Sequence, residues 1–295
     1  MDVGVPTHLA IDIGGTNLRY AVIDSKGQVI QKITDTHTAS NAPDFFKSLF
    51  GQVEALHQTH DFKKVGLALP IVFDKTTHTI YDAPNLSFLK GICLSEIFHD
   101  FPYPYCIEND ANCAALGEMW QGCAKKTQSF CCFTLGTGVG GAIVLDRKLW
   151  TGLRGMASEL GHMKISNDPN LLCACGDFGC LEAHISATAI RNLYQTSPKE
   201  LYHRAMENDV SAIQVFQKMG HDLGRAIASL SNILNIEDYV IAGRMSAAFD
   251  FFYEAAMKSA TQAAMKGPGE NIRIYRASLE DDAGLLGAAY LTFQL

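Results

Sequence analysis

Within residues 159–182 the chain gathers His162, Cys173, Cys175 and Cys180, with Glu159 and Glu182 at either end. One imidazole and three thiolates make a closed tetrahedral set for zinc, and a closed set leaves no coordination position for catalysis. The spacing Cys-x-Cys-Gly-x-x-Gly-Cys also puts glycines where a tight metal loop needs backbone angles that other residues resist. A stretch of this kind folds around an ion or buries three ordinary cysteines, and the glycines favour the ion. The implied metal is structural. Its task would be to hold Glu159, His162 and Glu182 in a fixed arrangement, one suited to a ligand with many hydroxyls.

At 295 residues the chain is long enough for two domains or one large one. Its 47% hydrophobic and 19% charged content is that of a soluble globular protein, and no apolar run approaches the roughly 18–20 residues of a membrane span. Met1-Asp2-Val3-Gly4-Val5 has no basic start, and the apolar run Leu9-Ala10-Ile11 is broken by Asp12, so the start is not read as a secretory signal. A net charge of −7 argues against nucleic acid as a partner. Beyond the metal motif, Cys93, Cys106, Cys113, Cys123, Cys131 and Cys132 show no paired spacing. Scattered free thiols suit a reducing cytoplasm.

Along the chain, residues 7–13, 18–24 and 28–34 read as an antiparallel meander with a glycine-rich first hairpin. A helix over 42–58 and a strand over 65–69 follow, the latter stopping at Pro70. A strand ends at Glu108-Asn109-Asp110 and runs into a helix over 111–120. Residues 129–135 and 139–145 form a second strand–glycine turn–strand unit, a weak internal repeat of 8–24. The stretch 186–265 is mostly helical, interrupted by a strand at 239–242; a strand at 272–275 and a helix over 282–293 complete a mixed α/β chain.

Four pieces carry chemistry. Gly14-Gly15-Thr16 in a hairpin exposes N–H groups and a hydroxyl to phosphate oxygens, and Asp12 beside it suits a hydrated Mg²⁺; the same hexapeptide also fits a tight β-turn. Gly136-Thr137-Gly138 is neither a dinucleotide fingerprint nor a P-loop, because strand follows it and no Gly-Lys-Ser/Thr is present. Paired with the first hairpin, it would grip one nucleotide's phosphates from both sides. Asn109-Asp110 at a strand-to-helix junction suits a base for a hydroxyl proton, and suits a helix N-cap equally well. The strand ending in Ala242-Gly243-Arg244 suits support of a base and ribose, or an ordinary strand-to-helix turn. Together these describe phosphoryl transfer from ATP to an alcohol, a reaction that needs positioning, charge neutralisation and a base.

The combined motifs resemble the ROK family (repressor, open reading frame, kinase) of the actin-like ATPase and sugar kinase superfamily. The resemblance runs from the Asp12–Thr16 hairpin through Pro84-Asn85-Leu86, Glu108-Asn109-Asp110, Gly136–Gly141, Gly152, Gly155 and Glu159-x-Gly161-His162. It continues through the cysteine loop with Glu182 to Asp282-Ala283-Gly284-Leu285-Leu286-Gly287-Ala288-Ala289. It implies an α/β, two-domain actin-like ATPase (ribonuclease H-like) fold with a cleft between the domains: 1–112 plus 282–295 in the smaller, 113–281 in the larger with the zinc loop. It implies Asp110 as general base toward the sugar 6-hydroxyl, with Asn109, Glu159, His162 and Glu182 binding sugar hydroxyls and Asn85 near them. His162 would ligate zinc through one nitrogen and touch sugar through the other, beside Cys173, Cys175 and Cys180. Gly14, Gly15, Thr16, Gly136, Thr137 and Gly138 would hold the phosphates of ATP, Gly243 would lie at the nucleotide, and Asp12 would attend Mg²⁺. Homodimers are common in the family.

Two segments depart from the family pattern. Pro70-Ile71-Val72 stands where Pro-Gly-Pro is usual, in a loop near the sugar, and Ala242-Gly243-Arg244 stands for Gly-Gly-Gly beside the nucleotide. No helix-turn-helix precedes the first strand, so the DNA-binding repressor branch is not expected. The expected activity is that of an ATP-dependent, glucokinase-like hexose kinase in the cytoplasm. N-acetylmannosamine, N-acetylglucosamine, allose and fructose are the other acceptors weighed. A sugar-binding regulator without turnover, suggested by the altered Gly243 turn, is the rival from another class.

Overall fold

The computed structural model describes residues 5–295. Residues 1–4, on which part of the leader reading rests, lie outside them. The chain divides into two compact units, residues 1–125, 151–157 and 281–295 in the first and 126–150 and 158–280 in the second.

The first unit opens with β1 (Thr7–Ile13), β2 (Asn17–Asp24) and β3 (Val29–Thr36), the expected meander. Helix α1 (Ala42–His57), β4 (Phe62–Leu69), the hairpin β5 (Val72–Asp74) and β6 (Thr79–Asp82), and the one-turn α2 (Leu94–Ile97) follow. The strand β7 (Tyr105–Asn109) then leads into α3 (Asp110–Gln121). The five-stranded sheet runs β3-β2-β1-β4-β7, antiparallel across the meander and parallel from β1 through β4 to β7.

In the second unit β8 (Phe130–Leu135), β9 (Val139–Leu145) and β10 (Lys148–Leu149) precede the metal loop. Four helices come next: α4 (Glu182–Ile185), α5 (Ala187–Tyr194), α6 (Pro198–Met206) and α7 (Val210–Leu234). β11 (Asp238–Ala242), α8 (Phe249–Ala263) and β12 (Arg273–Arg276) complete it. Its sheet runs β10-β9-β8-β11-β12, again three antiparallel strands followed by two parallel ones. The repeat of 8–24 in 130–145 is thus the visible edge of a whole sheet laid down twice with one topology.

The last helix, α9 (Ala283–Gln294), belongs to the first unit, and side-chain alternation explains how that unit is layered. In β1, Leu9, Ile11 and Ile13 join a core with Phe45, Phe46 and Leu49 of α1. The alternate residues face the other way: His8 stacks on Phe293 of α9, ring centroids 3.9 Å apart, and Asp12 meets Gly284. On that face the sheet is built of small residues, Ala10, Gly66 and Ala68, so α9 comes in very close. A Cβ at Gly66 would overlap the Ala288 carbonyl, and one at Gly287 would overlap the Cys113 carbonyl of α3. This close approach is the physical content of the C-terminal Gly/Ala motif.

That packing also moves the domain boundary. A division at 112 would cut α3 after its third residue, but α3 is held whole in the first unit by α9. Residues 151–157 join the first unit as well, because the Lys75 N–H donates to the Arg154 carbonyl (2.8 Å) and Arg154 pairs with the buried Asp74 (2.8 Å). Among the described residues no helix is long and apolar enough to cross a membrane.

Gly287→Ala is expected to lower stability by several kcal/mol, since backbone must move to admit the methyl. Gly51→Ala, on the exposed face of α1 with open space around it, is expected to raise it by up to about 1 kcal/mol. Thermal unfolding followed by circular dichroism reads both; equal effects of the two substitutions would contradict the packing described.

Candidate functional site

The chemistry-bearing residues fall into two sets, one in each unit. In the first unit the β1–β2 hairpin is closed by the Gly14 N–H donating to the Asn17 carbonyl (2.8 Å), which leaves Gly15 and Thr16 exposed at its tip. Gly15 lies against Asn85; a Cβ on it would be 3.1 Å from the Asn85 Cβ. The hairpin register sets Asp12 opposite Arg19, their side chains 3.5 Å apart. Arg19 also donates to the Asp281 carbonyl at 2.6 Å. Burial pushes the Asp12 carboxyl up to about 6; the Arg19 charge opposes that rise, and the charges of Asp110 and Asp281 add to it.

Asp110 is the first residue of α3. The choice between base and N-cap resolves by one residue, because the cap is Asn109. Its Oδ1 accepts from the N–H groups of Ala111 (2.9 Å) and Asn112 (3.2 Å), and its Nδ2 donates to the Ile71 carbonyl (3.1 Å). Asp110 is relieved of capping; its carboxylate accepts the Ala111 N–H at 2.9 Å and is also held by its own N–H. Burial raises its carboxyl above the usual range, and its backbone hydrogen bonds work against the rise. Behind it sits Glu108, buried and satisfied by Lys75, the Asn109 N–H (2.9 Å) and Asn112 Nδ2 (3.0 Å).

In the second unit the β8–β9 turn is fixed from outside. The N–H groups of Ala187 and Thr188, at the start of α5, donate to the carbonyls of Gly136 (2.9 Å) and Thr137 (3.3 Å), and the Thr188 hydroxyl donates to Thr137 as well (2.8 Å). The Gly136 N–H closes the turn on the Gly138 carbonyl (3.0 Å), so the groups left to offer an anion are the N–H groups of Thr137 and Gly138. Gly243 lies beside Leu135 where β11 ends, with φ of 82°, and a Cβ there would overlap the Leu135 backbone. Only glycine suits both demands.

The ligand atoms of His162, Cys173, Cys175 and Cys180 all lie within 4.8 Å of one another. Cys173 Sγ is 3.6 Å from His162 Nδ1, and Cys175 Sγ is 3.7 Å from Cys180 Sγ. These four residues can hold a metal ion. Lys164 adds a cation 3.1 Å from the Cys180 sulfur. Glu182 joins the loop to the turn: its Oε2 accepts the Val139 N–H at 2.9 Å, and its Oε1 is 3.4 Å from Cys173 Sγ. Glu159 immediately precedes the turn Leu160–His162.

The sequence motifs give no role to Arg19, Lys75 or His184. Arg19 was detectable, since a two-strand hairpin sets its partner by register. Lys75 and His184 meet their partners across folds of the chain that no local pattern encodes.

A model of the ROK family matches residues 8–294. The glucokinase of Halalkalibacterium halodurans is 29% identical over 97% of this chain and 95% of its own length. Among solved structures, the ROK family glucokinase from Streptomyces griseus, in complex with glucose and AMPPNP, superposes with a TM-score of 0.83 at 27% identity; the match covers 98% of this chain and 100% of that one. The ROK hexokinase from Thermus thermophilus gives 0.84 at 27% identity, covering 98% and 99%.

Because Asp12 ionises near 3.8 when unfolded and near about 6 when folded, its charge costs stability that the protonated form keeps. That stability is complete below the unfolded value and is lost as pH rises through the folded one. Asp12→Asn is therefore expected to raise stability at pH 7.5, on the order of 2–3 kcal/mol, and to change it little at pH 3.5. Urea unfolding at the two pH values reads the difference; the same shift at both would contradict this account.

Proposed function

The chain belongs to the ROK family and has its actin-like ATPase fold, and from that premise we propose that it is an ATP-dependent hexose kinase transferring the γ-phosphate to a sugar 6-hydroxyl, with glucose the first acceptor. The observation that carries the reading is Asp110. It is a half-buried carboxylate at the head of a helix, and the neighbouring Asn109 has taken over the capping it would otherwise do. A carboxylate so placed is a stronger base than one in water and stays available to a hydroxyl.

The proposed roles follow from chemistry. Asp110 would hold the attacking hydroxyl and accept its proton. Gly15 and Thr16, and Thr137 and Gly138, would present N–H groups and hydroxyls to phosphate oxygens; Gly14 and Gly136, whose N–H groups close the two turns, would shape them and let the phosphates approach, with Gly243 beside the base and ribose. Mg²⁺ would neutralise phosphate charge, and Asp12, ionised, would attend it through water. Glu159, His162 and Glu182 would accept from sugar hydroxyls, with Asn85 near them. Asn109 is expected to act chiefly by orienting α3, since its carboxamide is already engaged on both sides. A regulator that only binds sugar would have no use for Asp110 and Asp12 in these settings. The proposal extends to a homodimer in the reducing cytoplasm, with all nine cysteines as free thiols or metal ligands.

Zinc is the ion proposed for the Cys₃His set. Zn–S bonds of about 2.3 Å and Zn–N bonds of about 2.0 Å make tetrahedral edges of roughly 3.8 Å between sulfurs and roughly 3.6 Å from sulfur to nitrogen. The separations of 3.7 Å and 3.6 Å fit both. His162 would bind through Nδ1, which leaves Nε2 for the sugar. Four protein ligands close the shell, so zinc supplies shape and no chemistry.

Sugar-dependent ADP release with Mg-ATP, across glucose, mannose, fructose, allose, N-acetylglucosamine and N-acetylmannosamine, tests the activity. Glucose is expected to turn over best, and silence across the panel with tight binding of one sugar would favour the regulator. Asp110→Asn is expected to cut turnover at least about a thousandfold with sugar affinity nearly unchanged; a variant within a few-fold of wild type would remove Asp110 as base. Chelation of the metal is expected to weaken sugar binding about tenfold through misplaced His162 and Glu182. Unchanged affinity in verified metal-free protein would overturn the role given to zinc.

A further inference from the structure

Outside the residues assigned above lies one buried polar chain without a function. Ser166 Oγ is 2.9 Å from His184 Nε2, His184 Nδ1 is 3.2 Å from Asp222 Oδ2, and Lys218 Nζ is 3.0 Å from the same oxygen. The side chains of His184 and Asp222 are 6% and 8% exposed. A carboxylate can only accept, so Nδ1 carries the hydrogen toward Asp222, and Nε2 shares a hydrogen bond with the Ser166 hydroxyl. Burial alone would raise the Asp222 carboxyl, but the bonds from His184 and Lys218 outweigh it and hold it below the usual range.

The order Ser–His–Asp is that of a hydrolytic triad, but the setting differs. Asp222 is shared with Lys218, and Ser166 is pressed against Gly179, where an added Cβ would overlap the Ser166 carbonyl and sit 3.2 Å from its hydroxyl oxygen. The hydroxyl is enclosed by the loop's own backbone.

What the chain joins is more informative. Ser166 lies four residues after His162, on one arm of the metal loop. His184 lies four residues after Cys180 and two after Glu182, on the other arm and on the single turn α4 that carries Glu182. Backbone bonds lace the arms together, Ile165 N–H to the Gly179 carbonyl and Leu181 N–H to the Met163 carbonyl, both at 2.9 Å. The candidate metal ligands His162 and Cys180 lie on the two arms, Cys180 opposite Lys164. The Ser166–His184 bond ties the arms a second time, diagonally across the lacing, and Asp222 fastens that tie to the middle of the long helix α7.

We propose that Ser166, His184 and Asp222 form a second brace for the metal loop, independent of the metal, that positions Glu182 and His162. His184 is a positioning residue in this account and touches neither sugar nor nucleotide. Its effect on sugar rests on the kinase reading above; its effect on the loop does not. Two braces on one element share a load, so losing either is partly tolerated and losing both is not. The free energies of the two losses are then coupled and do not add.

The test is a double-perturbation cycle on the full chain, with sugar affinity measured by calorimetry in metal-loaded and chelator-stripped protein. For His184→Phe with metal bound, the sugar Kd is expected to rise about fivefold with kcat held within about twofold; for stripped wild type it rises about tenfold, and for stripped His184→Phe more than about a hundredfold, beyond the product of the two. His184→Gln, whose carboxamide can donate to Asp222 and accept from Ser166, is expected to recover most of the loss. Effects that multiply, or a glutamine variant no better than phenylalanine, would overturn the brace. If His184→Phe does not fold, Ser166→Ala and Asp222→Asn take its place. If wild type binds no sugar at all, the kinase reading fails, and the rate of metal loss to chelator still tests the brace: several-fold faster loss in His184→Phe supports it, and an unchanged rate overturns it.

Discussion

A carboxylate taken out of water costs several kcal/mol unless donors replace what the water supplied, and this protein makes that replacement where its strands end. Asp12 closes β1 and is answered by Arg19 across the hairpin. Glu108 lies near the end of β7 and is met by Lys75, a backbone N–H and the Asn112 carboxamide. Asp110 opens α3 under the Ala111 N–H, and Glu182 opens α4 while accepting from Val139. Donors are plentiful at these positions because strand ends and first helical turns leave backbone N–H groups without partners. Compensation is nevertheless incomplete at Asp12 and Asp110, both of which stay harder to ionise than in water. Some stability is thereby given up for reactive groups, a pattern found where function sets the environment.

The two sheets show why those positions recur. Each unit runs three antiparallel strands into two parallel ones, in the same order. In each, the first hairpin turns through glycine and threonine. The copies then diverge in what they add. The first unit adds α9, which comes so close that Gly66, Gly117 and Gly287 admit no side chain. The second adds the loop with the Cys₃His cluster, laced by backbone hydrogen bonds and tied to α7 by the Ser166–His184–Asp222 chain. Dense packing secures one copy; hydrogen bonding, with the proposed metal coordination, would secure the loop of the other, so the two should respond differently to chelation and to core substitution.

Much of this was legible in the sequence, and the reasons differ by element. The meander, α1 and the second hairpin show in local periodicity and glycine placement. The Cys₃His cluster shows because thiolates and imidazole at that spacing have few other uses. The boundary at 112 misplaced α3, since nothing within residues 110–121 reveals that their partner is α9, more than 160 residues away. Asn109 and Asp110 sit side by side, and both residue types cap helices well, so composition alone could not assign the cap. Lys75 with Glu108 and His184 with Asp222 pair groups 33 and 38 positions apart, through topology that a linear pattern does not carry.

On the proposed reading, a closed metal shell and a half-buried base would divide the work of phosphoryl transfer in a definite way. Zinc bound by four protein ligands would have no position for a hydroxyl, so in the proposed kinase acceptor activation would fall to Asp110. A sugar hydroxyl is far less acidic than any carboxylic acid, so Asp110 would not deprotonate it ahead of transfer. It would hold the hydroxyl in line and take its proton as the bond to phosphorus forms, when the oxygen becomes acidic. That timing asks two things of the carboxylate: enough basicity to receive the proton late, and enough support to be an anion at the start. Burial supplies the first and the Ala111 N–H the second. Capping by Asn109 keeps these from conflict, because a carboxylate that also capped α3 would be too well solvated by N–H groups to act as a base.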